Sequence, residues 1–150
     1  MIKIICVGKI KEKYLKEAVL EYQKRISKYT KLELIELPDY DFDVKKTLSK
    51  EKDNILKVIK PNDYNILLDL DGQSFTSLEF ASKLLNLREK YPNINFIIGG
   101  SFGVDTDIKE KCQERISFSK LTFPHQLFRV IFLEQIYRSF KIINNEEYHK

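Results

Sequence analysis

Few side chains in this sequence can do acid–base or nucleophilic chemistry. Among 150 residues there are two histidines, His125 and His149, and two cysteines, Cys6 and Cys112. His149 stands near the end of the stretch SFSKLTFPHQLFRVIFLEQIYRSFKIINNEEYHK, residues 117–150, flanked by Tyr148 and Lys150. An imidazole titrates near neutral pH, so it can exchange a proton where other side chains cannot. A short terminal segment carrying one is either a frayed end or a group ordered by a substrate or by a partner's active site. No CxxC or HExxH sets thiols or imidazoles at ligand spacing, so no metal is expected. Cys6 lies in an apolar strand-like run and Cys112 on a helix-like one, which predicts buried free thiols in a reducing compartment.

The segment GGSFG, Gly99–Gly103, matches the G-x-S-x-G nucleophile elbow. That reading makes Ser101 a hydrolase nucleophile, with Asp105 or Asp107 and His125 or His149 as partners. Two features oppose it. Too little chain follows Gly103 to supply the strands that carry a triad's acid and base, and FGVDTD delays the helix the elbow needs at once. A dinucleotide turn is opposed by the missing G-x-G-x-x-G spacing, and a P-loop by the missing GK[ST]. What remains is a tight turn free of side-chain bulk at a strand's C-terminal end, where ligands of open parallel sheets sit.

Arg138 can pair with Glu134 at i,i+4. Arg129 has no acidic residue four positions away, and with His125 and Gln126 as helical neighbours it is the better candidate for a phosphate or base contact. His125 follows Pro124 in a first helical turn, where it can simply bond to backbone.

These groups must be positioned by the elements around them. Strand-like runs recur at IKIICV (2–7), LELIEL (32–37), YNILLDL (64–70), INFIIGG (94–100) and, more weakly, RISFS (115–119). Between them lie helical periods over 11–29, 47–60, 76–90 and 105–113. Thr76 and Glu79 form a capping box stapled by Phe75 and Phe80, and Asp105 or Asp107 opens the short fourth helix. Turn signals fall at PDYD, KPND, DLDGQS and YPNIN. Strand and helix alternate five times, so one α/β domain over residues 1–150 is expected, with a mostly parallel sheet and helices on both faces.

The final helix differs from the others. Pro124 fits its first turn. Beyond it Leu127, Phe128, Val130, Ile131, Phe132, Leu133, Ile136, Tyr137 and Phe140 reach nearly round the wheel. A helix apolar on every side must be covered on every side, and a sheet covers one. A homodimer with this helix in its interface is the economical expectation, with burial under the chain's own loops as the alternative.

Composition is that of a globular protein, 43% hydrophobic and 32% charged. No apolar run approaches the ~18 residues of a membrane span. MIKIICVGKIK lacks the long apolar core and cleavage site of a signal peptide, so a cytoplasmic chain is expected. The net charge is +4, but residues 3–31 hold nine Lys/Arg against three Glu, interleaved with Tyr14, Tyr22 and Tyr29. A solvated helix face explains that, and so does contact with a polyanion such as RNA.

Three loops follow strand-like runs on one edge: LLDLDG (67–72), IIGGSFG (97–103) and SFSKLTF (117–123). Their backbone groups, with Leu68, Leu121 and Phe123, suit a purine-bearing ligand. VGKIKEKYLKEAVLEYQKRI, LDLDG, FIIGGSFG and the terminus FPHQ…R…EQ.YR…YH resemble, over essentially the whole chain, the ribosomal large-subunit methyltransferase H family. This is a small branch of the SPOUT, or trefoil α/β-knot, methyltransferases. The chain is shorter than longer members between LPD and KVIKP.

The resemblance implies an S-adenosyl-L-methionine-dependent enzyme that methylates N3 of a pseudouridine in a hairpin loop of 23S ribosomal RNA, at the subunit interface. It implies a C-terminal trefoil knot and a homodimer packed through it. It places the cofactor on Leu68, Gly99, Phe118, Ser119, Lys120, Leu121, Thr122 and Phe123. An imide nitrogen must lose a proton to attack, so a base or an anion-stabilising donor is wanted. His149, Tyr148 and Arg129 are the candidates. A non-enzymatic RNA-binding or ribosome-associated factor of the same fold is the alternative.

Overall fold

Five strands alternate with five helices in a computed structural model that describes residues 1–150. In chain order they are β1 (Ile2–Val7), α1 (Lys13–Ile26), β2 (Leu32–Leu37), α2 (Val44–Val58), β3 (Tyr64–Ser74), α3 (Ser77–Lys90), β4 (Ile94–Ile98), α4 (Thr106–Lys111), β5 (Glu114–Ser117) and α5 (His125–Ile143). The sheet runs β2-β1-β4-β3-β5 with every pairing parallel. Parallel neighbours need crossovers, and helices supply them.

Period-2 alternation sorts the strand residues between two layers. Ile2, Ile4, Cys6, Ile66, Phe96 and Ile98 join the larger core cluster under α1, α3 and α5. Ile5, Val7, Leu67 and Ile97 join the smaller one under α2 and α4. Helix α5 lies between α1 and α3, so its own chain covers more of it than a sheet alone. Its inward residues Phe132, Leu133, Ile136 and Phe140 are fully buried. Leu127 remains 40% exposed on the outer side, and Leu121, just before the helix, 72%.

Local chemistry sets several boundaries. The Thr76 hydroxyl accepts from the Glu79 amide at 3.1 Å and Glu79 accepts from the Thr76 amide at 3.0 Å, closing the expected capping box. Asp105 opens α4, accepting from the Asp107 amide at 2.9 Å. Pro124 is the cap of α5 with extended ψ of 134° rather than a first-turn residue, so the helix begins one position later than its sequence implies.

A polar ladder inside apolar strands has no counterpart in the sequence reading. Lys3, Asn95 and Asn65 are in register across β1, β4 and β3. Asn95 donates to Asp63 and to Asn65 Oδ1, both at 2.9 Å, while Lys3 Nζ lies 3.9 Å from Asp63. Burial works to raise the Asp63 pKa. The bonds from Asn95, the Lys60 amide and Asn93, with the Lys3 charge, outweigh it and hold the carboxyl below its ordinary value.

The largest departure concerns DLDGQS, whose composition predicts a turn. Strand β3 instead continues to Ser74. Ile116 of β5 stands opposite Leu68 and again opposite Gln73, so residues 69–72 bulge out of the ladder. Gly72 makes this possible by close approach. A Cβ there would lie 2.6 Å from the backbone C and N of Ile116. Gly72→Ala is expected to lower unfolding stability by about 1–3 kcal/mol through overpacking against backbone. Urea denaturation checks this, and an unchanged midpoint would mean that the strands do not pack so closely.

Candidate active site

The middle of β3, at its bulge, and the C-terminal ends of β4 and β5 surround a cleft of about 270 Å³. Leu68, Asp69 and Leu70 come from the β3 bulge, Ile98 to Ser101 and Gly103 from the turn after β4, and residues 116–119 and 121–123 from β5 and its loop. All three loops singled out in the sequence meet here. Of the eight residues expected to hold the cofactor, Leu68, Gly99, Phe118, Ser119, Leu121, Thr122 and Phe123 line the cleft. Lys120 is exposed and does not.

The walls are fixed by short-range chemistry. The Gly103 amide donates to the Gly100 carbonyl at 3.0 Å, and Gly103 takes φ +77°, which glycine adopts without strain. A Cβ on Gly99 would stand 2.6 Å from the Gly103 carbonyl oxygen. In the third loop Ser117 Oγ donates to the Ser119 carbonyl at 3.1 Å, and the Leu121 amide donates to Ser119 Oγ at 2.9 Å. Phe118 turns inward against Phe128 and Phe132, with ring centroids 5.5 and 5.4 Å away. Phe123 stacks on Phe128 at 6.1 Å. The loop is thus held by its own backbone and by α5.

Asp69 has a role that its sequence position did not reveal. Its Oδ2 is buried in the cleft wall without a hydrogen bond, and the nearest charge is Arg115 Nη1 at 3.7 Å. A buried acceptor left open is costly unless something else fills it. Apolar walls, exposed loop backbone and one unsatisfied carboxylate oxygen fit a nucleoside-bearing cationic ligand such as S-adenosylmethionine.

The structure assigns Arg129 a place unlike the expected RNA contact. The residue is 1% exposed. Nη1 donates to Glu36 Oε2 at 2.9 Å, and Nη2 to the carbonyls of Val7 and Gly8 at 3.0 and 2.8 Å. Its acidic partner comes from β2, not from its own helix, which is why no i±4 residue foretold it. Gly8, at φ +94°, adopts a conformation that side chains disfavour while its carbonyl meets the guanidinium. The same Glu36 oxygen accepts from the Ile10 amide at 2.8 Å, and the Lys11 amide donates to Gln126 at 2.8 Å. Together these bonds lock the N-terminus of α5 to the β1–α1 loop.

No triad forms around Ser101. Asp105 is engaged in capping α4, and Ser101 makes no hydrogen bond to His125 although both line the cleft. No group of three or more His, Cys, Asp or Glu side chains is placed to hold a metal ion, and no helix is long and apolar enough to cross a membrane. Burial pushes the Cys6 thiol up to about 12 and Cys112 up to about 11, so neither is a nucleophile at neutral pH.

The terminus folds back on α5 rather than into its own chain's cleft. Tyr148 donates to Glu134 at 3.1 Å and meets the Tyr137 ring edge-on at 5.1 Å. His149 Nδ1 lies 3.1 Å from Arg138 Nη1. Arg138 pairs with Glu134 at 2.7 Å, as the i,i+4 spacing predicts. Burial and the Glu134 carboxylate raise the Tyr148 phenol pKa, so it remains a donor.

A parallel α/β sheet with a glycine turn and an apolar cleft at its C-terminal edge has the architecture of the open-sheet ligand-binding proteins. The chain belongs to the SPOUT methyltransferase family, since the family described as "Predicted SPOUT methyltransferase" matches residues 1–149. It is 50% identical to a protein of Caldicellulosiruptor saccharolyticus named "Ribosomal RNA large subunit methyltransferase H", over 100% of both chains. A Clostridium beijerinckii protein of the same name is also 50% identical, over 99% of each. In fold the chain is similar to a "probable methylase family protein" of Haemophilus influenzae Rd KW20. The TM-score is 0.58 at 16% identity, over 99% of this chain and 70% of that one.

Arg129→Met is expected to destabilise the fold by about 3 kcal/mol, because two buried carbonyls and the inward oxygen of Glu36 lose their donor. Thermal or urea unfolding checks it. A variant as stable as wild type, with weakened RNA binding instead, would restore the direct RNA role.

Proposed function

We propose that this chain is an S-adenosyl-L-methionine-dependent methyltransferase of ribosomal RNA. In this reading it acts as a homodimer in the cytoplasm and methylates N3 of a pseudouridine in a hairpin loop of 23S RNA at the subunit interface. The observation that carries the reading is the meeting of three separate segments around one cleft, in a chain half identical to ribosomal RNA methyltransferases along its length.

The cofactor, when bound, supplies a methyl group already activated on a sulfonium, so the chain's own task is positioning. Leu68, Leu121 and Phe123 give apolar cover to the adenosine portion, while backbone of the Gly99 turn and the Phe118–Thr122 segment reads its polar edge. Asp69 Oδ2 offers an acceptor to a hydroxyl or cationic group of the ligand. Lys120, pointing outward, is available to RNA phosphate rather than to the cofactor.

The exposed Leu121 and Leu127, with the half-buried Val130 and Ile131 beside them, form an apolar strip that favours a second copy over solvent. Tyr148 and His149 stand apart from their own cleft. In a dimer they are carried to the partner's cleft, with His149 as a donor that stabilises the anion left on the base and Tyr148 as its positioner. Lysines of the β1–α1 loop and α1 supplement RNA binding without a separate RNA-binding domain.

Incubation with labelled S-adenosylmethionine and ribosomes lacking the modification is expected to label one pseudouridine of 23S RNA. Label elsewhere, or none, sinks the substrate assignment, and cofactor binding without transfer favours a non-enzymatic factor. Gly99→Val is expected to weaken cofactor affinity at least about tenfold, or roughly 1.4 kcal/mol, by calorimetry. Unchanged affinity would misplace the pocket. Removing Tyr148–Lys150 is expected to leave that affinity intact and slow turnover on ribosomes by about 100-fold. An undiminished rate removes the terminus from catalysis.

A further inference from the structure

A second cavity, of about 400 Å³, lies across the Gly99–Gly103 turn from the cofactor cleft and shares Gly100, Ser101 and His125 with it. Its other walls are the β1–α1 loop, the β2–α2 loop and the first turns of α2 and α5. None of the expected cofactor residues faces it.

We propose that this cavity receives the methyl-accepting base, a pyrimidine carrying a ring imide N–H, and that Glu51 accepts its proton. The inference rests on the methyltransferase reading above and adds a site and a residue to it.

Three buried polar side chains form the cavity floor: Thr47, Glu51 and Arg129, at 2%, 5% and 1% exposure. Two of them are committed. Thr47 accepts from the Phe42 amide at 3.1 Å, and Arg129 is bound to Glu36, Val7 and Gly8. Glu51 forms no ion pair and no side-chain hydrogen bond, and only the Tyr40 backbone amide is turned toward it. The residue is buried while its carboxylate opens on the cavity without a cationic partner, and such groups cluster at functional sites. It also reaches the turn shared by the two cavities. A Cβ on Gly100 would stand 3.2 Å from Glu51 Oε1, so the missing side chain lets the carboxylate approach the glycine backbone.

The remaining walls suit a flipped base. Tyr40 and the half-exposed Phe102 stand at the rim as aromatic surfaces for stacking, and Lys9 and Lys11 stand exposed for phosphate. The charged and titratable groups around Glu51 are Asp39, Tyr40 and Asp41 from the β2–α2 loop, Lys9 and Lys11 from the β1–α1 loop, and His125 and Arg129 from α5. Burial first, and then the Asp39 charge, raise the Glu51 pKa above the ordinary carboxylate value, which makes it a stronger base than an exposed glutamate.

In the step, the ring N–H bond breaks toward a Glu51 oxygen, which becomes a carboxylic acid. The electron pair left on nitrogen forms the N–C bond to the transferred methyl, and the pair of the broken S–C bond stays on sulfur. The proton passes to water as product leaves.

Two arms test this. In the first, uridine 5′-monophosphate and cytidine 5′-monophosphate are titrated into wild-type protein at millimolar concentration and followed by amide NMR. Uridine presents the ring N–H and cytidine does not, so uridine is expected to shift Tyr40, Gly100 and Ser101 selectively. Glu51→Gln should abolish that preference. Equal response to both nucleotides, or none at these amides, overturns the site. In the second arm, wild-type methylation is expected to rise with pH through the Glu51 pKa. Glu51→Gln should lose about 10²–10³-fold in kcat and that rising limb, with cofactor affinity and melting temperature unchanged and partial rescue in Glu51→Asp. A Glu51→Gln enzyme with wild-type kcat and pH profile overturns the proton-accepting role. Wild-type protein that transfers no methyl group sinks the methyltransferase reading and the proton role with it, while the nucleotide arm separately decides whether the cavity selects an imide base.

Discussion

The buried guanidinium of Arg129 holds the site in one piece. It joins three elements far apart in sequence: the carbonyls ending β1, Glu36 on β2 and the first turn of α5. Burying a guanidinium costs several kcal/mol before any bond is made, and an ion pair with further hydrogen bonds offsets that. Here Nη1 meets Glu36 and Nη2 meets two carbonyls, while Nε is buried without a partner. The consequence is geometric. With the start of α5 pinned at the C-terminal edge of the sheet, the loop before it must pass beside the glycine turn, and the two cavities meet along that turn.

Glycine positions do comparable work through absence of bulk. Gly72 lets the bulged β3 press against β5, and Gly99 lets the turn after β4 fold on itself. Gly100 lets a buried carboxylate of α2 come close to the same turn. These contacts bring backbone, rather than flexible side chains, to the cleft walls. Backbone walls are suited to a ligand whose polar edge must be held in one orientation, since they lose no rotamer freedom on binding.

Opposite ends of the sheet serve different purposes. At the N-terminal end, Lys3, Asn65, Asn95 and Asp63 bind one another, although Asn95 Oδ1 is itself buried without a partner. At the C-terminal end, Asp69 Oδ2 accepts no hydrogen bond and has only Arg115 at 3.7 Å, and the Glu51 carboxylate has only the Tyr40 backbone amide. The polar groups at one end thus bind mainly one another, while those at the other end line cavities.

By itself the sequence determined the element order, the parallel sheet, the capping box at Thr76 and Glu79, and the loops after β4 and β5. Each depends on local periodicity, on a residue three positions away or on an identifiable turn, all of which a linear string records. The Glu134–Arg138 pair was legible for the same reason. Tertiary structure decided what depends on residues brought together from far along the chain. DLDGQS reads as a turn by composition, and residues 69–72 do leave the ladder, yet pairing of Gln73 and Ser74 with β5 resumes the strand beyond them. Arg129 reads as a free cation because its partner, Glu36, is 93 positions away. Asp69 and Glu51 carry no local mark at all. Burial without a partner is a property of the surrounding volume, and a sequence has no volume until it folds.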